Sequence, residues 1–61
     1  MNKLYKLKWL IDMVNMQDRK WDILRYGSWV YVICDMNDNQ RYIKRWNLDF
    51  LIWFCEWILF I

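Results

Sequence analysis

Histidine is missing from this sequence of 61 residues, and so are alanine, threonine and proline. Glycine, serine and glutamate occur once each, as Gly27, Ser28 and Glu56. Without histidine the chain lacks the commonest general base and metal-ligating side chain, and no base stands near Ser28 to activate it. A glycine-rich phosphate loop is excluded as well, because such loops need several glycines. The sequence therefore predicts a protein that is not an enzyme and has no catalytic residues.

The sequence also contains few side chains in patterns that bind metal ions. Two cysteines, Cys34 and Cys55, are too few for the tetrahedral zinc sites that cysteine and histidine form. Residues 35–40 begin like a calcium-binding loop, but Gln40 stands where that loop needs glycine and Trp46 where it needs glutamate. We interpret this segment as a turn rich in asparagine and aspartate. The sequence predicts no metal site and no cofactor.

The length predicts one small domain, residues 1–61, whose core alone gives marginal stability. Both cysteines lie in apolar runs, which predicts reduced, buried thiols and a cytoplasmic location. Asp12 and Asn15 interrupt the amino-terminal lysines and leucines, so no signal peptide is expected. No apolar run reaches the roughly 20 residues that span a bilayer. The formal net charge of +2 is too small to identify a nucleic-acid partner.

Aromatic residues are abundant, with six Trp, four Tyr and three Phe. They provide the bulk that a small core needs. The remaining composition is rich in Ile, Asn, Lys and Met, as in proteins translated from AT-rich genomes. This composition and length are typical of a small accessory protein of a virus or mobile element, which would act in the host cytoplasm.

The central stretch predicts the fold. Residues 29–34 and 41–46 favour strands and flank a polar turn, which is the pattern of a β-hairpin. Residues 21–26 form either a further strand or a loop, with Gly27 as a turn signal. Helical periodicity at residues 4–16 and 48–61 completes an α+β fold: an amino-terminal amphipathic helix, a two- or three-stranded antiparallel sheet covered by the helices, and a very apolar carboxy-terminal helix. The strand at 29–34 is expected to be central and covered on both faces.

The first helix carries a second apolar strip beside its main one, formed by Tyr5, Trp9 and Met16. We expect this strip to pack beneath the hairpin or the last helix, because so small a domain has few other ways to cover a tryptophan. The alternative is that the strip contacts a partner.

The second hairpin strand interleaves cations and aromatic residues, in the order Arg41, Tyr42, Lys44, Arg45, Trp46. Stacking aromatic residues beside cations can bind single-stranded nucleic acid. Strict alternation puts Tyr42, Lys44 and Trp46 on one face of the strand. We expect Tyr42 and Trp46 to belong to the core, with the cations solvated or paired with the two acids of the last helix. Nucleic acid is therefore an unlikely partner.

The last helix is apolar in every direction except along a narrow stripe that contains Asp49 and Glu56. Such a helix must be buried in its own fold, paired with a copy of itself, or laid against a membrane. We expect a homo-oligomer, most simply a homodimer, whose interface includes Trp53, Phe54 and Trp57. A peripheral membrane protein anchored by this helix is the alternative, although two acids would be repelled by anionic lipid.

Together these features predict a non-enzymatic protein-binding module. It would act as a small inhibitor that blocks another protein by steric occlusion. Tyrosine, tryptophan and arginine supply most of the energy at such interfaces, and the predicted partner-binding residues are Tyr5, Trp9, Arg41, Tyr42 and Arg45. Membrane attachment and weak single-stranded nucleic-acid binding are the alternatives, and the sequence leaves the partner's identity open.

Overall fold

The structure, a computed structural model, describes residues 2–60. Five elements follow one another along the chain: helix α1 (Lys3–Asn15), strands β1 (Trp21–Arg25), β2 (Tyr31–Asp35) and β3 (Arg41–Trp46), and helix α2 (Leu48–Phe60). The strands form one antiparallel sheet in the order β1-β2-β3. The predicted α+β fold is confirmed. Residues 21–26, for which a strand and a loop were both left open, contain strand β1.

Asparagine side chains begin both helices, where the first backbone N–H groups have no partner within the helix. The Asn2 side-chain oxygen accepts a hydrogen bond from the Leu4 N–H at 2.7 Å. Before α2, the Asn47 side chain accepts one from the Phe50 N–H at 3.0 Å, and Asp49 lies in the first turn. The predicted start of the last helix is thus confirmed, whereas its predicted end, residue 61, lies outside the described residues.

A third asparagine fastens α1 to the sheet. The Asn15 side-chain oxygen accepts from the Trp21 N–H at 2.7 Å, and its amide donates to the Trp21 carbonyl at 2.9 Å. The side chain therefore satisfies both backbone groups of the first residue of β1. This pair of bonds fixes the direction in which the chain leaves α1 and enters the sheet.

Both helices pack on the same face of the sheet. Their buried side chains join strand residues in one core cluster: Leu7, Leu10, Ile11, Val14, Trp21, Ile33, Leu51, Ile52 and Cys55. Ile23 is partly buried against this cluster and pairs with Ile33 across the strands, so the strand residues of the core share one side. The molecule consequently has two layers, a pair of helices and a sheet.

Strand β2 is central, as predicted, and its residues are buried on both faces of the sheet. Val32 is 1% exposed and Cys34 is 0% exposed, yet neither belongs to the core cluster beneath the helices. Their neighbours in the register belong to β1 and β3, and both described helices lie on the opposite face, so helices cover one face of β2 and not both. The strand also begins later than predicted, because Trp29 lies before it in the β1–β2 connection and is exposed.

The two helices lie side by side and run in the same direction. Lys3 in the first turn of α1 contacts Asp49 in the first turn of α2, with 2.9 Å between Nζ and Oδ1. Lys6 Nζ lies 3.9 Å from Glu56 Oε2 further along the same seam. The hairpin cations were expected to be either solvated or paired with these two acids, and the structure excludes the second alternative because both acids contact lysines of α1.

An irregularity in β3 changes which of its residues share a face. Ile33 pairs with Lys44 but the next residue of β2 pairs with Tyr42, so Ile43 is an extra residue of a β-bulge. The bulge turns Tyr42 and Arg45 to the side away from the helices. Strict alternation therefore fails here, and the predicted common face of Tyr42, Lys44 and Trp46 is wrong.

Candidate functional site

The outer side of the helix pair is apolar. We call this surface the helical face. It consists of Tyr5 and Trp9 on α1, Met16 at the C-cap of α1, and Phe50, Trp53, Trp57 and Phe60 on α2. Their exposed fractions run from 46% for Phe50 to 85% for Met16. The prediction that the second strip of the first helix packs beneath the hairpin or the last helix is wrong. A layer one helix thick presents only one side of each helix to the sheet, and that side is already filled by the core leucines.

The helical face is continuous across both helices. On α2 its residues recur at three- and four-residue steps, which aligns them along one side of the helix. On α1 the steps are four and seven residues, again along one side. Because the helices are neighbours on one face of the sheet, the two stripes lie next to each other, and each 13-residue helix is about 20 Å long. The charged groups between the helices are the two lysine–carboxylate pairs, which neutralise one another.

Trp46 and Phe50 extend this apolar surface to the edge of the sheet. Their rings stack with 4.5 Å between centroids and 25° between planes, and with Asp49 and Trp53 they line an open recess of about 480 Å³. The Lys44 ammonium lies 4.7 Å from the Trp46 ring centroid. Trp46 is 40% exposed, so its predicted place in the core is wrong.

The predicted oligomer interface, Trp53, Phe54 and Trp57, is divided by the structure. Trp53 is 59% and Trp57 is 54% exposed on the helical face. Phe54 points the other way, packs against the core and stacks on Trp21 with 6.1 Å between ring centroids and 10° between planes. Phe54 therefore stacks on an aromatic ring of its own chain, whereas among the residues described neither tryptophan has such a stacking partner.

The side of the sheet away from the helices is a second surface, which we call the sheet face. It is formed by Asp22, Leu24, Val32, Cys34, Tyr42 and Arg45, with Tyr26 beyond the end of β1. The pairing register places these strand residues together. Buried Val32 forms part of the floor, while Leu24 is 41% exposed and Tyr42 is 57% exposed. Tyr42 is thus not a core residue, contrary to the prediction.

An arginine and a tyrosine lie against each other on the sheet face. The Arg45 guanidinium carbon is 5.2 Å from the Tyr26 ring centroid, which is a cation–π distance. Tyr26 is 57% exposed. Tyr26 could not be predicted as a site residue from the sequence, because its contact with Arg45 depends on how the strands pair.

The cations of β3 are dispersed rather than grouped. Arg45 lies on the sheet face, Lys44 is turned toward α2, and Arg41 Nη1 lies 3.6 Å from Asp38 Oδ2 in the turn. Asp22 adds a carboxylate to the sheet face. This face therefore carries one cation and one acid, which is far from the basic groove that tracks a nucleic-acid backbone.

The five predicted partner-binding residues consequently fall into separate groups. Tyr5 and Trp9 lie on the helical face, Tyr42 and Arg45 on the sheet face, and Arg41 near the β2–β3 turn. One flat partner surface cannot contact all of them at once. Their assignment as binding residues stays a prediction, with four of them on two opposite surfaces and Arg41 on neither.

The two thiols sit in different environments, which gives a chemical test of the layers. Burial, with a smaller contribution from Glu56, raises the pKa of Cys55 to about 11. Burial first and Asp22 second also raise the pKa of Cys34. Cys55 lies in the core between helices and sheet, whereas Cys34 lies under the side chains of the sheet face.

We expect iodoacetamide to alkylate Cys34 before Cys55 in the native protein, because local side-chain motion uncovers only Cys34. The thiolate is the reactive form, so labelling of each thiol accelerates with pH up to its own raised pKa. Mass spectrometry of peptides from a labelling time course at pH 8 and pH 9 measures both rates. Equal rates in the native state, with both thiols slow until urea is added, would contradict the thin cover over Cys34.

Other features of the described part of the chain add no further site. Residues 2–60 contain no group of three or more His, Cys, Asp or Glu side chains placed to hold a metal ion. Neither α1 nor α2 has the length and apolar character needed to cross a membrane. Comparison of the chain with protein-family models, curated proteins and solved structures found no match. The two surfaces are therefore the features on which a function can be argued.

Proposed function

We propose that the protein is a non-enzymatic binding module that covers part of another protein with its sheet face. The observation that carries this proposal is the exposed Tyr26, Tyr42 and Arg45 group above the buried floor of β2. Tyrosine and arginine are enriched among the residues that dominate binding energy. A rigid sheet holds them in place, so little side-chain freedom is lost when a partner binds.

The polarity of the sheet face favours a partner that binds and dissociates. Interfaces of this kind are only about as apolar as the rest of a protein surface. The sheet face fits that description, because exposed Leu24 and Tyr42 lie beside Asp22 and Arg45. Binding there would act by steric occlusion, since a partner that covers the sheet face would itself be covered by it.

Nucleic acid is the alternative occupant of the same face, since tyrosines can stack on bases. The dispersed cations argue against it. A protein partner held mainly by tyrosine contacts would show a weak dependence on salt, whereas a nucleic acid held through its phosphates would be released steeply as salt rises.

Substitution at Tyr42 and Arg45 tests the proposed function. Full-length protein carrying Tyr42→Ala or Arg45→Ala is compared with wild type in crosslinking capture, and the partner that both variants lose is then purified for calorimetry. Loss of a binding anchor is expected to reduce the binding free energy by about 2 kcal/mol, which raises the dissociation constant roughly 30-fold.

Lys8→Ala serves as the control, because Lys8 is an exposed cation on α1 and the change leaves the sheet face intact. Circular dichroism confirms that each variant keeps its fold. Unchanged affinity in both sheet-face variants would refute the assignment of this surface. Binding to single-stranded nucleic acid that vanishes with moderate salt would replace protein binding with the alternative.

A further inference from the structure

The helical face is less charged than the sheet face. Apart from the two lysine–carboxylate pairs between the helices, its one charged group among the described residues is Asp12. We propose that the helical face binds a second copy of this chain. The two helical layers would stack against each other in a twofold-symmetric dimer, with the sheets on the outside. Each sheet face would then remain free to bind its target. Dimer formation is therefore a separate proposal from target binding.

The size of the helical face matches the requirement of a stable dimer. An aromatic side chain buries about 150–250 Å² when fully covered, and the six aromatic residues of the face are roughly half exposed or more. Together with Met16 they offer on the order of 600–800 Å². A standard interface takes about 800 Å² from each partner. A second copy would therefore cover the whole surface at once.

Charge complementarity favours a second copy over an unrelated protein. The Lys3–Asp49 and Lys6–Glu56 pairs make the seam between the helices neutral, so within residues 2–60 Asp12 is the one further charge that each of two identical helical faces would contribute, although the chain carries a formal net charge of +2. Permanent homodimer interfaces are also more apolar than transient ones. The helical face is likewise more apolar than the sheet face.

The arrangement of α2 indicates where the dimer contact would centre. Trp53 and Trp57 are one helical turn apart, with Phe50 and Phe60 on either side of them along the same stripe. In a twofold-symmetric interface both subunits contribute the same surface. These tryptophans would therefore pack against the partner's copies of themselves and of Trp9. Energy in such interfaces concentrates in buried tryptophans near the centre, which makes Trp53 and Trp57 the expected anchors.

Light scattering across a dilution series of the full chain in detergent-free buffer tests the dimer. We expect twice the mass of one chain, and a dissociation constant raised about 30-fold or more by Trp53→Ala or Trp57→Ala. Tyr42→Ala is the matched control, because it removes an exposed aromatic residue from the sheet face and leaves the dimer unchanged.

Hydroxyl-radical footprinting of the wild-type chain gives the same answer without any variant. As concentration rises and dimers form, we expect Trp9, Trp53 and Trp57 to become protected while Tyr26 and Tyr42 keep their reactivity. This measurement keeps the proposal testable even if a tryptophan variant fails to fold as a monomer.

Three results would overturn the proposal. The first is a monomer at every concentration, and the second is a dimer protected at Tyr42 and sensitive to Tyr42→Ala. The third is protein that becomes uniform only on vesicles of phosphatidylcholine and phosphatidylglycerol, with the helical face protected by lipid. A monomer that still bound its partner through Tyr42 and Arg45 would refute the dimer and leave the proposed function standing. A dimer whose sheet-face variants still bound the partner normally would refute the proposed function and leave the dimer standing.

Discussion

A chain that ends at Asn47 is expected to be unfolded. Helix α2 contributes Leu51, Ile52 and Cys55 to the core, all of them buried. Burying one side chain of this kind stabilises a protein by about 1.5–3 kcal/mol, and removal of α2 would also uncover the side chains of α1 and β2 that it contacts. Native proteins are stable by only about 0.05–0.15 kcal/mol per residue, or roughly 3–9 kcal/mol at this length. The truncation therefore removes more than the whole stability.

Far-UV circular dichroism and amide chemical-shift dispersion of residues 1–47 would measure this loss. The full chain carrying Phe60→Ser is the control, because Phe60 is 73% exposed and its loss leaves the core intact. A soluble, folded fragment 1–47 would contradict the packing described above. That result would support the alternative in which α2 is a membrane anchor attached to an independent domain.

Local signals explain why much of the fold can be predicted from the sequence. The three- and four-residue steps of leucines in α1, the asparagine that caps α2 and the Gly27–Ser28 turn all act within a few residues of themselves. Nothing distant has to be known to interpret them. The α+β class and the central position of β2 follow from these signals together with the apolar run before Asp35.

Long-range pairing explains what could not be predicted. The bulge at Ile43 depends on how β3 adjusts to β2, and it brings Tyr42 to the same face of the sheet as Arg45 and Tyr26. The pairing of Lys3 with Asp49 likewise depends on the two helices being parallel neighbours. Neither contact leaves a trace in the residues adjacent to it in sequence.

The candidate surfaces show the same division between residue type and grouping. The sequence indicated aromatic and arginine residues as binding groups and Trp53 and Trp57 as parts of a subunit interface, but the strip that contains Trp9 was expected to be covered within the chain. A two-layer fold of this size leaves the outer side of each helix uncovered, which places Trp9 and Trp53 at the surface. Phe50 and Phe60 could have been found with them, because they continue the spacing of Trp53 and Trp57 along one side of α2.

A matched pair of leucine substitutions should separate the core from the surface most clearly. Leu51 is 0% exposed at the centre of the core, whereas Leu24 is 41% exposed on the sheet face. Leu51→Ala removes the same atoms as Leu24→Ala but leaves a cavity, so we expect losses of about 2–5 kcal/mol for the buried site. At Leu24 much of the side chain already contacts water, and the expected loss is below about 1 kcal/mol.

Urea unfolding followed by tryptophan fluorescence measures both free energies, at one fixed protein concentration because a dimer's stability depends on concentration. Since Leu51→Ala could leave too little folded protein to measure, Ile33→Val provides a milder core change with an expected loss of about 0.5–1.5 kcal/mol. Ile33 is 0% exposed and joins the same cluster from the sheet side. If Leu24→Ala cost as much as Leu51→Ala, the sheet face would have to be buried in solution, and it could not be the open binding surface proposed above.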